Sequence, residues 1–290
     1  MSPDFSPFTG IGHGIEYVHI SSEWDKEDCR RYCSRTKEAY AKYTKAWSDH
    51  HNSEWLTRNY LAVKMILSAT VMLTSFEYCQ RKNVRIVQPY LLYYAALSCC
   101  RALSFTRPDV QLQNSDLYQM NHSKIINVIG QHLDAAFPSA GGGYKSLLLK
   151  LRHDREMFSY KFPAKGVARS QLAKQFDAVV RLCSLLAENA QLNSECLEAS
   201  IATNVVGDFS VKAEVVEKCF LYESGADWLK DQDDYYRTNY MVRAKWKPCN
   251  LRTTATEGLV EDFFGSWFLD DEDDDPYDPD QNWGIIFPFC

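Results

Sequence analysis

The chain has 290 residues, of which 46% are hydrophobic and 24% charged, with a formal net charge of −6. That is the balance of an ordinary globular protein long enough to bury a substantial core. No uninterrupted apolar run approaches the roughly 20 residues that span a bilayer, so no membrane partner is expected. The first residues, "MSPDFSPFTGIGHGIEYVHI", lack the basic start and apolar stretch of a secretory leader. Ten cysteines are scattered without a CxxC pair, which points to reduced, mostly buried thiols in the cytoplasm rather than a disulfide framework.

Taken in chain order, residues 1–20 read as an irregular arm, because Pro3, Pro7, Gly10, Gly12 and Gly14 oppose helix. Helical spacing of aromatics and cysteines begins at Ser21 and continues to Trp47. A second helix is predicted over 53–80, apolar nearly all round and therefore central. A third opens at Pro89, with proline in the favoured first turn, and ends before Arg107-Pro108. "NHSKIINVIGQHLDAAF" is a shorter amphipathic helix, followed by the break "PSAGGG" and by helices over about 143–160 and 168–192. Past residue 200 the pattern weakens. "IATNVVGDFSVKAEVVEKCFLYE" reads as one strand and a helix, and "YYRTNYMVRAKWKP" has the alternation of a strand. These elements divide the chain into the arm 1–20, a helical domain 21–200, an extension 201–269 and an acidic tail 270–290 with an apolar end.

Charge is unevenly placed. Residues 270–280, "DDEDDDPYDPD", hold eight acids and no base, a density that predicts disorder over 270–282. The closing "NWGIIFPFC" is apolar enough to dock back on the body. Residues 145–174 hold eight Lys/Arg against Asp154 and Glu156. A local basic stripe is what a protein that touches phosphates presents, although a solvated helix face gives the same pattern.

Common catalytic signatures are absent: there is no GxxxxGK[ST], GxSxG, HExxH or GxGxxG. "GIGHG" at 10–14 has no strand before it, so it does not read as a phosphate loop. Cys29 and Cys33 lie one helical turn apart, but no second pair has metal spacing, so no metal is expected. The order of features between 89 and 192 is more informative. Tyr93, Tyr94, Arg101 and Ala102 stand in an apolar helix; His122, Lys124 and Ile126 open the next; Arg152, Arg155 and Tyr160 follow in "LRHDREMFSY", before a long final helix.

This succession resembles the HEPN superfamily (higher eukaryotes and prokaryotes nucleotide-binding), in the branch found beside minimal nucleotidyltransferases. Members there show a "YYAxxxxxRALL"-like helix, an "H-[KS]-x-[IV]-I" element and "LRxxRxxADY" before the last helix. The resemblance covers roughly 100 residues. It implies a HEPN-like helical bundle, and with the weaker pattern past residue 200 the expected fold is mainly α, with a less regular, partly β C-terminal extension. It also implies a homodimer joined through the helix of the arginine motif. Active members are metal-independent ribonucleases that use an arginine, a polar residue and a histidine four to six residues later, without a cofactor. Here none of the seven histidines follows an arginine at that distance, and Tyr160 occupies the place instead.

Two readings follow. In the first, the chain is an RNA-acting effector of toxin or phage-defence type, with Arg155 as phosphate binder and Tyr160 or His122 in proton transfer. Arg152, Lys150, Lys161, Lys165 and Arg169 would then contact nucleic acid. In the second, it is a HEPN-like module without catalysis, serving a cognate antitoxin or a defence-complex protein as scaffold.

Overall fold

The computed structural model describes residues 6–11, 15–110, 121–138, 143–164, 166–224, 226–268 and 276–289. Its organising elements are three long helices, each of which buries more than half of its residues. They are α4 (Asp49–Arg81), α5 (Gln88–Phe105) and α8 (Arg169–Asn204). Ser48 caps α4 by accepting from the His51 amide at 3.3 Å, which satisfies one of the orphan donors of the first turn. Proline in the first turn of α5 presets its backbone. Trp55, Tyr60, Phe76, Tyr93 and Phe105 are the largest core side chains on α4 and α5, and fully burying such a residue stabilises the fold by about 1.5–3 kcal/mol. By length and composition α4 is the one helix among the described residues that could cross a membrane, and its apolar window is 72% buried inside the fold.

The short α1 (Ser6–Thr9) and α2 (Val18–Glu23) precede α3 (Lys26–Thr44), which packs on α8. The predicted helix from Ser21 is thus interrupted. Trp24 is extended and Asp25 caps α3 by accepting from the Asp28 amide at 2.8 Å, a local side-chain bond that competes with helix continuation. α6 (His122–Ala136) and α7 (Gly143–Tyr160) form a hairpin laid over α5. The hairpin is tight. A Cβ at Gly130 would stand 2.9 Å from Lys145 Cγ, so the missing side chain sets how closely α6 approaches α7. α7 itself buries only Leu148, Leu151 and Phe158. It lies on the flank of the bundle, against α5 and α6.

Two expectations for the C-terminal part are corrected. α8 does not stop near 192 but continues to Asn204. Its polar run is held inside by partners: Tyr17 donates to Glu195 at 2.7 Å, and Gln191 donates to Asn250 at 3.1 Å. "YYRTNYMVRAKWKP" is not a strand. It supplies most of α10 (Gln232–Arg243), capped by Asp231, which buries Asp234, Thr238 and Met241 at helical spacing. The alternation of aromatic and polar residues there comes from tyrosines left exposed, not from a pleated strand. Before it come α9 (Ala213–Val216), a 3-10 turn and the hairpin of β1 (Leu221–Ser224) and β2 (Asp227–Lys230), with Leu221 opposite Lys230. α11 (Leu251–Thr254) and α12 (Glu257–Gly265) close the extension. Apart from that antiparallel pair, the regular structure among the described residues is helical, a mainly α fold with a partly β C-terminal region.

The acids at 270–275 lie outside the described residues. The chain after them is docked, where the charge density predicts disorder. Tyr277 accepts from Ser75 at 2.7 Å and donates to the Val71 carbonyl at 3.0 Å, and Ile286, Phe287 and Phe289 are buried against the core. Seven of the nine described cysteines are buried.

Candidate active site

Three helices converge on one histidine. On α5, Tyr90, Tyr93, Tyr94 and Arg101 fall within one face at spacings of 3, 4, 7 and 8. On α7, Arg152, Arg155, Glu156 and Ser159 do the same. His122 is the first residue of α6, and its helix is capped by Asn121, whose side chain accepts from the Lys124 amide at 2.8 Å. That cap fixes the direction in which the chain enters α6 and so aims the imidazole at the Tyr93 hydroxyl. Tyr93 Oη and His122 Nδ1 share a hydrogen bond of 2.9 Å. The Tyr94 ring meets the imidazole edge-on, with centroids 6.0 Å apart.

Arg155 lies over both tyrosines, its guanidinium carbon 5.3 Å from the Tyr93 centroid and 5.8 Å from that of Tyr94. This is cation–π range, and the flat guanidinium tolerates partial dehydration there better than an ammonium would. Its Nε is buried with no hydrogen-bond partner among the described residues. Arg152 donates to Glu156 at 2.8 Å and to the Ser123 hydroxyl at 2.7 Å, tying α7 to the start of α6. Ser159 reaches the Tyr90 hydroxyl at 3.2 Å. Asp154, the other acid of this helix, is turned away and accepts from Gln175 of α8 at 2.6 Å.

The electrostatics follow from that layout. Among the described residues, three arginines and one carboxylate, Glu156, act on His122. Burial, then Arg101, Arg155 and Arg152, lower the His122 pKa below its ordinary value, with Glu156 opposing them. The imidazole is therefore neutral at pH 7 and competent to accept a proton. Burial raises the Tyr93 pKa against the pull of Arg155 and Arg152, so Tyr93 remains a phenol and orients the ring. With Nδ1 committed to Tyr93, Nε2 is the nitrogen available for proton transfer. Burial also lowers the Arg101 pKa, yet guanidinium stays charged at any physiological pH. The cluster has the composition of an anion site with a proton acceptor inside it.

Of the residues singled out in the sequence, Arg155, Arg152 and His122 come together. Tyr160 does not join them; at the last position of α7 it is 80% exposed, one residue past the face that carries Ser159. Lys150, Lys161 and Arg169 are exposed, and Lys165 lies outside the described residues. Arg101, Tyr90 and Ser123 were not among the expected site residues. The signal for Arg101 was its spacing of 7 and 8 from Tyr94 and Tyr93 on an apolar helix, where a charged residue needs a reason. Ser123 carried no signal, since its role depends on how α7 crosses α6. Among the described residues no group of His, Cys, Asp and Glu is placed to hold a metal. No family model, curated protein or solved structure matches the chain.

Proposed function

We propose that the chain is a HEPN-like protein acting on RNA, a metal-independent endoribonuclease whose reacting groups are His122 and the arginines around it. The observation that carries this reading is the position of His122. A histidine supplied by a different helix stands beside Arg155, where the resemblance leads one to expect a histidine on the same helix. Arg155 and Arg101 would hold the scissile phosphate and stabilise the charge that builds on its oxygens. Neutral His122 would take the proton of the ribose 2′-OH as that oxygen attacks phosphorus. The P–O5′ bond breaks, the departing 5′-oxygen takes up a proton, and the products are a 2′,3′-cyclic phosphate and a 5′-hydroxyl. Two protomers paired through this face would give the cleft needed to grip an RNA strand.

One observation favours a second reading. Arg152 is already engaged by Glu156 and Ser123, and Arg155 by two rings. On that view the cluster is a structural tie and the protein is an inactive scaffold for an antitoxin or defence partner. Incubation of the purified protein with total RNA in EDTA separates the two. The enzyme reading expects cyclic-phosphate ends, lost in both His122→Ala and Arg155→Ala while Tyr160→Phe stays active. Intact RNA with the parent protein would leave the scaffold.

A further inference from the structure

Away from that cluster, α10 and α12 enclose a groove with two chemically different ends. One end is a cavity of ≈170 Å³ with Tyr236, Tyr240 and Trp246 in its wall. The Tyr240 and Trp246 rings have centroids 6.1 Å apart and are inclined at 59°, while Met241 and Leu259 supply apolar surface. The other end is an adjoining cavity of ≈520 Å³ bordered by Asp233, Glu261 and Asp262, and it runs to Gly265 and Ser266 at the close of α12. The two share Tyr236, Arg237 and Asp262. Arg237 spans the groove to Asp262 at 3.5 Å and neutralises one carboxylate, while the Asp262 side chain stays 67% exposed. Among the described residues Asp233 and Glu261 form no ion pair, and the C-terminal end of α12 adds its partial negative charge on that side.

Tyr236 and Tyr240 are 70% and 53% exposed on consecutive turns of one helix. Aromatic rings left in water beside a cavity have the composition of an interaction site rather than a plain surface. The ten residues from Thr256 to Gly265 extend about 15 Å at 1.5 Å per residue. An extended peptide covers that length in about five residues.

We propose that this groove docks a short basic segment of a partner protein. An apolar or aromatic side chain of the segment seats among Tyr236, Tyr240 and Trp246. A lysine or arginine three or four residues away meets Asp233 and Glu261. The occupant is a peptide rather than nucleic acid, because a phosphate backbone would be repelled by the acidic end. The proposal is independent of the ribonuclease reading, since it uses none of the residues around His122.

The test is an array of decapeptides in which one apolar position and one basic position are varied in type and separation, probed with the labelled full chain. Retention of peptides with an apolar residue and Lys/Arg three or four positions apart is expected. The best of them, titrated in solution by fluorescence anisotropy, should bind at least tenfold more weakly to Tyr240→Ala and to Glu261→Arg. Both residues are exposed, so these variants should melt with the parent. Weakening with added salt is expected for the basic peptide, and little for its norleucine counterpart. An array with no retained peptide, binding indifferent to charge, or affinities unchanged in both variants would each overturn the proposal.

Discussion

His132 offers a stringent check on the interior of the bundle. It sits on α6 with its ring edge-on to Tyr32, centroids 6.2 Å apart, and its Nε2 is buried with no partner among the described residues. Burial, and then Arg107, push its pKa down to about 4, against smaller opposing effects of Asn189 and Asp109. In the unfolded chain the same imidazole titrates near 6.5. Between those values the unfolded state binds the extra proton, so the contribution of neutral His132 is fully present above about pH 6.5 and is lost as pH falls toward 4. Each pKa unit corresponds to about 1.4 kcal/mol, and integration between pH 7.5 and 5.0 gives a loss of about 2 kcal/mol from this one group. Urea denaturation at the two pH values measures it, and with a slope of about 3 kcal/mol/M the midpoint should move by about 0.7 M. Other groups titrate in the same window, so the comparison is with His132→Phe, which keeps an aromatic ring against Tyr32. The parent should lose about 2 kcal/mol more than the variant on acidification. Parallel losses in the two proteins would refute the assignment of a buried, neutral His132.

Three further outcomes are expected. Glu188→Ala should lower the melting temperature by about 6–8 °C, because the buried carboxylate accepts from the His19 and Ile20 amides at 3.0 and 2.7 Å. Stranding two donors costs about 3–4 kcal/mol, at about 2 °C per kcal/mol in a chain of this size. Gly130→Val should wedge α6 from α7 by placing carbon against Lys145, costing about 1–3 kcal/mol. Hydrogen exchange should then rise in both helices but not in α4, and any RNA cleavage should fall more than stability does. Light scattering at micromolar concentration should give about twice the 33.4 kDa chain mass; a monomer that still cleaves RNA would exclude a site shared between protomers.

The central helices were legible in the sequence because their information is local. Apolar residues recur at helical spacing over 53–80 and from Pro89 to Phe105, and α4 and α5 lie where that spacing places them. In α8 the local apolar pattern ends before the helix does. Beyond Leu192 its residues Asn193, Ser194, Glu195 and Glu198 have the composition of a surface or a loop. They remain helical because Tyr17, Leu251 and Asn250, far away in the chain, supply hydrogen bonds. A buried polar group is acceptable only when partnered, and a partner 50 or more residues distant leaves no mark on the local pattern. α10 fails differently. Its buried stripe of Asp234, Thr238 and Met241 contains one apolar residue of three, since Asp234 is buried by way of Tyr60 and Lys64. Apolar residues do not recur at helical spacing along that stripe.

The site was legible in its parts but not in its geometry, and the reason is the same. Arg155 and His122 could each be singled out from motif spacing. Tyr160, offered beside His122 for proton transfer because it follows Arg155 on the same helix, points into solvent. Spacing along a helix specifies a face; it does not specify what another helix lays against that face. The crossing of α6 and α7 is fixed by an absent side chain at Gly130, and the aim of His122 by a cap at Asn121. Neither residue carries reactive chemistry, yet together they bring the neutral imidazole of His122 to the arginines. Placing the imidazole on a separate helix also has a physical consequence. The distance from His122 to Arg155 depends on the packing of two helices rather than on a rigid backbone repeat. A ligand that bridges the arginines and the imidazole would therefore pull α6 and α7 together, and anything that loosens the hairpin would disable the site without unfolding the core formed by α4, α5 and α8.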